Sequence, residues 1–273
     1  QGLFVLDTRV LSSWTVRVAG RLVEPLSVTT NGPFSATFVG RVHVGDTVDA
    51  PVVVVQRRSV GRGMREDLEV RNYADAALEL DIEVGVDADF HSLFDVKAGH
   101  AGHHPTRRYR AVSGGLGIDA PVLDDTRSPV DATVIASTEP ADARIHGDQL
   151  DAASLGWTVT LEPGATWRTC IQVSVSASGN QIEPSHPCGS VIDDAIPTRR
   201  LRRWRESTAR VETDHGHLAR AVQQSVERLA ASIATFGDGL AELRAEQNAL
   251  APVLTKLAGP LELRLVPGDS GND

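Results

Sequence analysis

The feature that most constrains this chain is a two-residue alternation of apolar and polar side chains that returns again and again before residue 177. In ALELDIEVGVD, Leu78, Leu80, Ile82, Val84 and Val86 stand opposite Glu79, Asp81, Glu83 and Asp87. Successive side chains of an extended strand point to opposite faces, so this pattern sets one face on a core and the other in water. FSATFVGRVHV repeats it, with Phe34, Ala36, Phe38, Gly40, Val42 and Val44 on one side, and TWRTCIQVSVS groups Trp167, Ile171, Val173 and Val175. Sheets with one wet face are antiparallel, because parallel strands are covered on both faces and lose the alternation. VVVVQRR, from Val52, breaks the pattern with four apolar residues in a row and predicts a strand covered on both faces.

Turn formers separate these runs at short intervals: Ala19-Gly20, Asn31-Gly32-Pro33, Gly61-Arg62-Gly63, Gly114-Gly115 and Pro163-Gly164. Many short strands punctuated in this way predict a mainly β fold, an antiparallel β-sandwich with C-terminal α-helices. The sandwich is assigned to residues 1–178 and a turn-rich, then Arg-rich connector to 179–212. From Thr213 the period changes to three and four, through Leu218, Val222, Val226, Leu229, Ile233 and Phe236. Thr213 or Asp214 caps that helix and Gly237 ends it. A second helical run, Leu240 to Leu250, stops before Pro252, so 213–273 is a helical C-terminal segment.

Composition narrows the function classes. At 273 residues and 41% hydrophobic content the chain can bury a core, and its net charge of -9 argues against a nucleic-acid or anionic membrane surface. No apolar run approaches the roughly 20 residues that span a bilayer, and the expected compartment is the cytoplasm. Two cysteines, Cys170 and Cys188, are too few for a disulfide scaffold. The expectation is two free thiols, with Cys170 a small hydrophobe inside a strand.

DADFHSLFDVKAGHAGHH is the densest polar stretch, and its Asp87, Asp89, His91, Asp95, His100, His103 and His104 are ligand types for zinc or calcium. Their spacing fits no standard ligand pattern, and solvated loop histidines are the expectation. The many Asp and Glu residues lie on wet strand faces or in turns, with no pair marked as acid and base. GGLG at Gly114–Gly117 lacks the context of a phosphate loop and reads as a turn. Trp14, Trp157 and Trp167 fall on alternating strands and are expected in the core, whereas Trp204, among arginines, is expected at an interface or, equally, over the sandwich edge. No catalytic residue, cofactor or metal is assigned.

Three ordered blocks carry a resemblance. Asp7-Thr8-Arg9, Leu11-Ser12 and Trp14 form the first; Leu68, Val70, Asn72, Asp89-Phe90, Leu93-Phe94 and Val96 the second; Pro163-Gly164 and Trp167 the third. Over roughly residues 1–230 the chain resembles the N-terminal domain of bacterial, especially actinobacterial, glycogen debranching enzymes of the amylo-α-1,6-glucosidase type. The resemblance implies a β-sandwich ahead of an α/α barrel that carries the glycosidase carboxylates, with an α-glucan such as glycogen as ligand. After about Ala231 the sequence departs from the family, and about 40 residues cannot build a barrel of a dozen helices. The expectation is therefore a non-catalytic domain whose first strands and barrel, supplied in cis or in trans, lie outside this sequence. The competing expectations are a free-standing carbohydrate-binding module and a gene fragment without function.

Overall fold

The computed structural model describes residues 2–45, 49–100, 107–121, 129–146 and 153–207, together with Ala221 and Ser225. In chain order the strands are β1 (Leu3–Val5), β2 (Thr8–Leu11), β3 (Ser13–Val18), β4 (Arg21–Leu22), β5 (Glu24–Thr30), β6 (Ser35–Val42), β7 (Val52–Val60), β8 (Met64–Asn72) and β9 (Leu78–Asp87). Helix α1 (Leu93–Ala98) follows, then β10 (Arg108–Val112), β11 (Gly115–Asp119), β12 (Ala132–Ser137), β13 (Asp142–Ile145), β14 (Ala153–Leu161), β15 (Thr166–Ala177) and β16 (Asn180–Ile182), and helix α2 (Ile196–Ser207). Residues Gln1–Glu212 make one compact unit and Thr213–Asp273 another. The periodic runs Leu218–Phe236 and Leu240–Leu250 fall outside the described residues, apart from Ala221 and Ser225, which are helical.

The first unit is a mainly β sandwich of antiparallel sheets. The larger runs β10-β11-β12-β15-β8-β7-β6-β5, the smaller β13-β14-β9-β3-β4, and β1-β2 is a separate hairpin. β15 joins the two halves of the larger sheet: Ile171–Ser176 pair with β12 on one edge, while Thr166–Val173 pair with β8 on the other. β16 takes up that second edge beyond β8, pairing with Val175–Ala177.

The alternating sets meet between the sheets. Leu80, Ile82, Val84 and Val86 of β9 are fully buried against Leu68, Val70, Ile171, Val173 and Val175 of the larger sheet. Each such side chain contributes about 1.5–3 kcal/mol of transfer free energy, which makes this layer the main source of stability. Gly40, on the apolar face of β6, is there because the chain crosses close by: a Cβ would lie 2.3 Å from Val23 Cγ1 and 2.7 Å from the Glu24 carbonyl oxygen. Ala19 and Gly20, with φ of 51° and 73°, turn β3 into β4 in two residues, the geometry of a hairpin whose twist matches its strands.

The structure corrects two expectations, at the Val52 run and at the cysteines. Val52 and Val54 of β7 are buried, but Val53 and Val55 are only half-buried, so this strand is fully covered on one face alone. The connector contains β16 and the twelve-residue α2, whose Pro197 sits in the first turn, where its missing N–H costs no helical hydrogen bond. The cysteines are not free: Cys170 and Cys188 form a disulfide with their Cα atoms 6.0 Å apart.

The reason lies in how the connector packs. It crosses the face of the larger sheet that looks away from the core, and Arg65 Nη1 donates there to the carbonyl oxygens of Pro187 (3.1 Å) and Ser190 (2.8 Å). The Cys188 N–H donates to Gln172 Oε1 at 3.0 Å, which brings Cys188 against Cys170 on that face. Closing a loop of this size removes about 3 kcal/mol of entropy from the unfolded chain. Cys170→Ala/Cys188→Ala is therefore expected to be about 3 kcal/mol less stable in urea unfolding. Two titratable thiols in the unreduced, denatured wild type would overturn the bridge.

Candidate functional site

Two of the sequence blocks that lie eighty residues apart fold onto each other. The Arg9 N–H donates to the His91 carbonyl (2.8 Å), the Phe90 N–H to the Arg9 carbonyl (3.1 Å) and the Leu93 N–H to the Asp7 carbonyl (2.8 Å), and Thr8 forms a bridge with Ser92. These bonds hold the chain after β9, where Phe90 takes a φ of 55°. They place the Arg9 guanidinium on Asp89: Nε donates to Oδ1 at 2.9 Å and Nη2 reaches Oδ2. Burial pushes the Asp89 carboxyl up, but the Arg9 hydrogen bonds and charge outweigh it, and the carboxyl is held below the usual carboxylate range.

Asp87, at the end of β9, has its own partners. Arg107 Nη2 donates to Oδ2 at 2.6 Å and the Tyr109 hydroxyl to Oδ1 at 2.6 Å, and Arg107 Nε donates to the Tyr109 oxygen at 2.7 Å. Burial and then the hydrogen bond to Asp87 push the Tyr109 hydroxyl above its ordinary range. Of the other residues of this stretch, Ser92 and Asp95 cap α1, with the Asp95 N–H donating to Ser92 Oγ at 3.1 Å. His91 Nε2 is buried without a hydrogen-bond partner among the described residues, and His100 is exposed. His103 and His104 lie outside the described residues. Asp87 and Asp89 thus form two ion pairs rather than one ligand set, and no group of three or more His, Cys, Asp or Glu fit to hold a metal occurs among the described residues.

A third carboxylate is buried where the alternation of MREDLEV forces it. Met64, Glu66, Leu68 and Val70 share the core face of β8, and Glu66 is fully buried among them. It accepts from Trp14 Nε1 at 2.9 Å and from Arg58 Nε at 2.7 Å. The Arg58 guanidinium lies 5.7 Å from the Trp14 ring and 5.3 Å from the Phe38 ring. Trp14 and Trp167 are half-buried against the core and Trp157 is buried, with Trp157 and Trp167 in tilted contact at 5.4 Å between centroids. The Trp204 side chain lies outside the described residues. Gly114, with φ of 70°, turns β10 into β11, and Gly115–Gly117 continue as strand.

Beyond these networks, a cleft of about 580 Å³ lies between the β5–β6 turn, the ends of β7 and β8, and the connector with α2. His186, a buried histidine that the sequence reading did not single out, is part of its wall, with Nε2 3.4 Å from Thr198 Oγ1. Burial, and then the positive charge of Arg65, push its pKa down.

Each of the buried carboxylates Asp87, Asp89 and Glu66 is thus held by arginine, tyrosine or tryptophan donors. The model of a family described as the N-terminal domain of some glycogen debranching enzymes matches residues 1–172, and the chain belongs to that family. Among solved structures, a protein described as a kojibiose phosphorylase from the human microbiome is 10% identical with a TM-score of 0.40, covering 64% of this chain and 24% of its own. One described as an aldose 1-epimerase from Escherichia coli K12 is 12% identical with a TM-score of 0.34, covering 57% of this chain and 69% of its own. This chain thus spans about a quarter of the first of these proteins, and at such scores neither likeness bears on function. No match is found among curated proteins. No helix among the described residues is long and apolar enough to cross a membrane.

Proposed function

We propose that this domain is the non-catalytic N-terminal sandwich of an α-1,6-glucosidase of the glycogen debranching type, and that it supports an α/α barrel that acts on an α-glucan. The family match over residues 1–172 carries this reading. The state of the carboxylates supports it. A glycosidase acid must keep its proton near neutral pH while a second carboxylate stays ionised. Asp89 is instead held ionised by Arg9, and Asp87 and Glu66 each spend their oxygens on fixed cationic and hydroxyl or indole donors.

The exposed apolar side chains suit a supporting role. Phe94 on α1 is 73% exposed, and Leu6, in the β1–β2 turn that hydrogen-bonds to α1, is 43% exposed. In this reading these side chains meet the barrel rather than water. The test is enzymatic: the purified 273-residue chain, given a branch-linked limit dextrin, should release no glucose above background. Release at an ordinary enzymatic rate would place a catalytic centre in this chain and end the scaffold reading.

A further inference from the structure

We propose that β5 is a pairing edge for a second copy of this chain, whose own β5 adds antiparallel to it about a two-fold axis at Thr29. Such pairing lies beyond the scaffold role and does not depend on it. β5 ends the larger sheet: β6 pairs along one side, and among the described residues no strand takes the other. All of its residues, Glu24–Thr30, are exposed, with Leu26 at 54% and Val28 at 59%. At the opposite end of the sandwich the outer strands β10 and β13 lie against each other and carry Arg108, Arg110, Asp142 and Arg144. Charges on outer strands are one way that edges are kept from pairing. From Pro25 to Ser35 the chain carries none.

The ladder with β6 fixes which backbone groups are open. The Asn31 N–H donates to the Ser35 carbonyl at 2.9 Å, and on the far side of β6 the Val60 N–H donates to the Phe34 carbonyl at 2.8 Å. Bonded and non-bonded pairs alternate along an antiparallel ladder, so the Thr29–Thr37 and Ser27–Val39 pairs use the groups turned toward β6. The N–H and C=O groups of Val28 and Thr30 then point outward, away from the sheet. Pro25, which has no N–H, and the irregular register between Pro25 and Ser27 close this edge at its start.

Two outward-facing residues with a single residue between them make the edge complementary to itself. With the axis at Thr29, Val28 of each copy faces Thr30 of the other, and each such pair exchanges both backbone bonds, about four in all. An axis at Val28 would instead set Thr30 opposite Leu26, inside the irregular stretch. The register about Thr29 also puts each Val28 side chain beside a Thr30 side chain, a β-branched cross-strand pair. Two chains of net charge -9 thus meet where neither bears a charge. One strand pair buries less than the roughly 800 Å² per partner of a standard interface, so the dimer is a weak one, with Kd expected at about 10–100 µM.

The experiment is sedimentation equilibrium of the whole chain over about 1–200 µM. The average mass is expected to rise with concentration from 29.2 kDa toward twice that. Val28→Pro removes an outward N–H and spares the bonds to β6, and Val28→Lys sets a charge at an exposed position. Each is expected to weaken the dimer at least about 10-fold. Thr29→Cys checks the register, Cys170 and Cys188 being already paired. Side chains directly opposite each other have Cβ atoms about 4.5–5.5 Å apart, so mild oxidation is expected to bridge two copies of Thr29→Cys. Ser27→Cys, on the same face but opposite Asn31, is expected to stay unbridged. A monomer at every concentration, which would leave the edge to a strand of another protein, overturns the proposal. So does association that both Val28 variants leave unchanged, or a Ser27→Cys chain that cross-links as readily as Thr29→Cys. Each of these leaves the scaffold reading standing, since that reading is tested by glucose release.

Discussion

Arg9→Ala should destabilise the domain by about 3–5 kcal/mol, the largest single-residue effect expected here. The cost is less the pair's own worth than what the substitution leaves behind: Asp89, 1% exposed, would keep a carboxylate in the interior with no cation beside it. The chain after β9 would loosen as well, since the Arg9–Asp89 contact lies among the backbone bonds that tie β2 to His91 and Phe90. Urea unfolding measures this directly. Its pH dependence carries the signature: the folded Asp89 pKa lies below its unfolded value near 3.9, so the pair's contribution is complete above about pH 4 and is lost as pH falls below that. Wild type and Arg9→Ala should therefore converge in acid. A loss under 1 kcal/mol at pH 7 would mean that the His91 N–H, 3.4 Å from Oδ1, suffices to hold Asp89 without Arg9.

Trp14→Ala should cost about 3–4 kcal/mol, and the structure divides that cost in two. Part is apolar packing against the core, reduced because the ring is half-buried. The rest is the hydrogen bond from Nε1 to Glu66, a fully buried carboxylate that would then rely on Arg58 alone. Trp14→Phe separates the parts, keeping most of the packing and losing the donor, at an expected cost of about 1.5–3 kcal/mol. Equal stability of Trp14→Phe and wild type would remove the buried carboxylate from the account.

The sandwich was legible because its signal is local. Period-2 patterning at Leu78–Val86, Phe34–Val44 and Trp167–Val175 states which face is wet, and turn residues state where each strand stops, so mainly β antiparallel architecture follows without knowledge of the partners. The run at Val52 misled because four valines say nothing of what covers them. In the structure the outer pair is only half covered. Helix α1 carried a signal that the search for ligands obscured: Ser92 and Asp95 have the spacing of a capping box, and Gly99 stands at the C-cap with φ of 76°.

The site was less legible, for a physical reason. Glu66 could be placed on an apolar face from MREDLEV alone, but its partners come from β3 and β7, and nothing local joins Trp14 to Glu66 across 52 residues. Asp87 and Asp89 drew attention as ligand types; that each meets a different arginine depends on Arg9 and Arg107 arriving from two other parts of the chain. The disulfide was missed because free thiols followed from an assumed reducing compartment, whereas the packing of the connector decides the matter. His186 was missed because the cleft around it is made by sheet and connector together.

The Cys170–Cys188 bridge changes what cutting the chain would do. The turn at Ser178–Gly179 is a two-residue hairpin between β15 and β16, with Gly179 and Asn180 exposed, the kind of tip where proteases act. A single nick there falls inside the ring closed by the disulfide. The severed halves stay in one covalent piece, and α2 stays leashed to the middle of the larger sheet. On a gel such a protein would run at full length until a reductant was added, then as two bands, so damage at this tip is silent as long as the bridge holds.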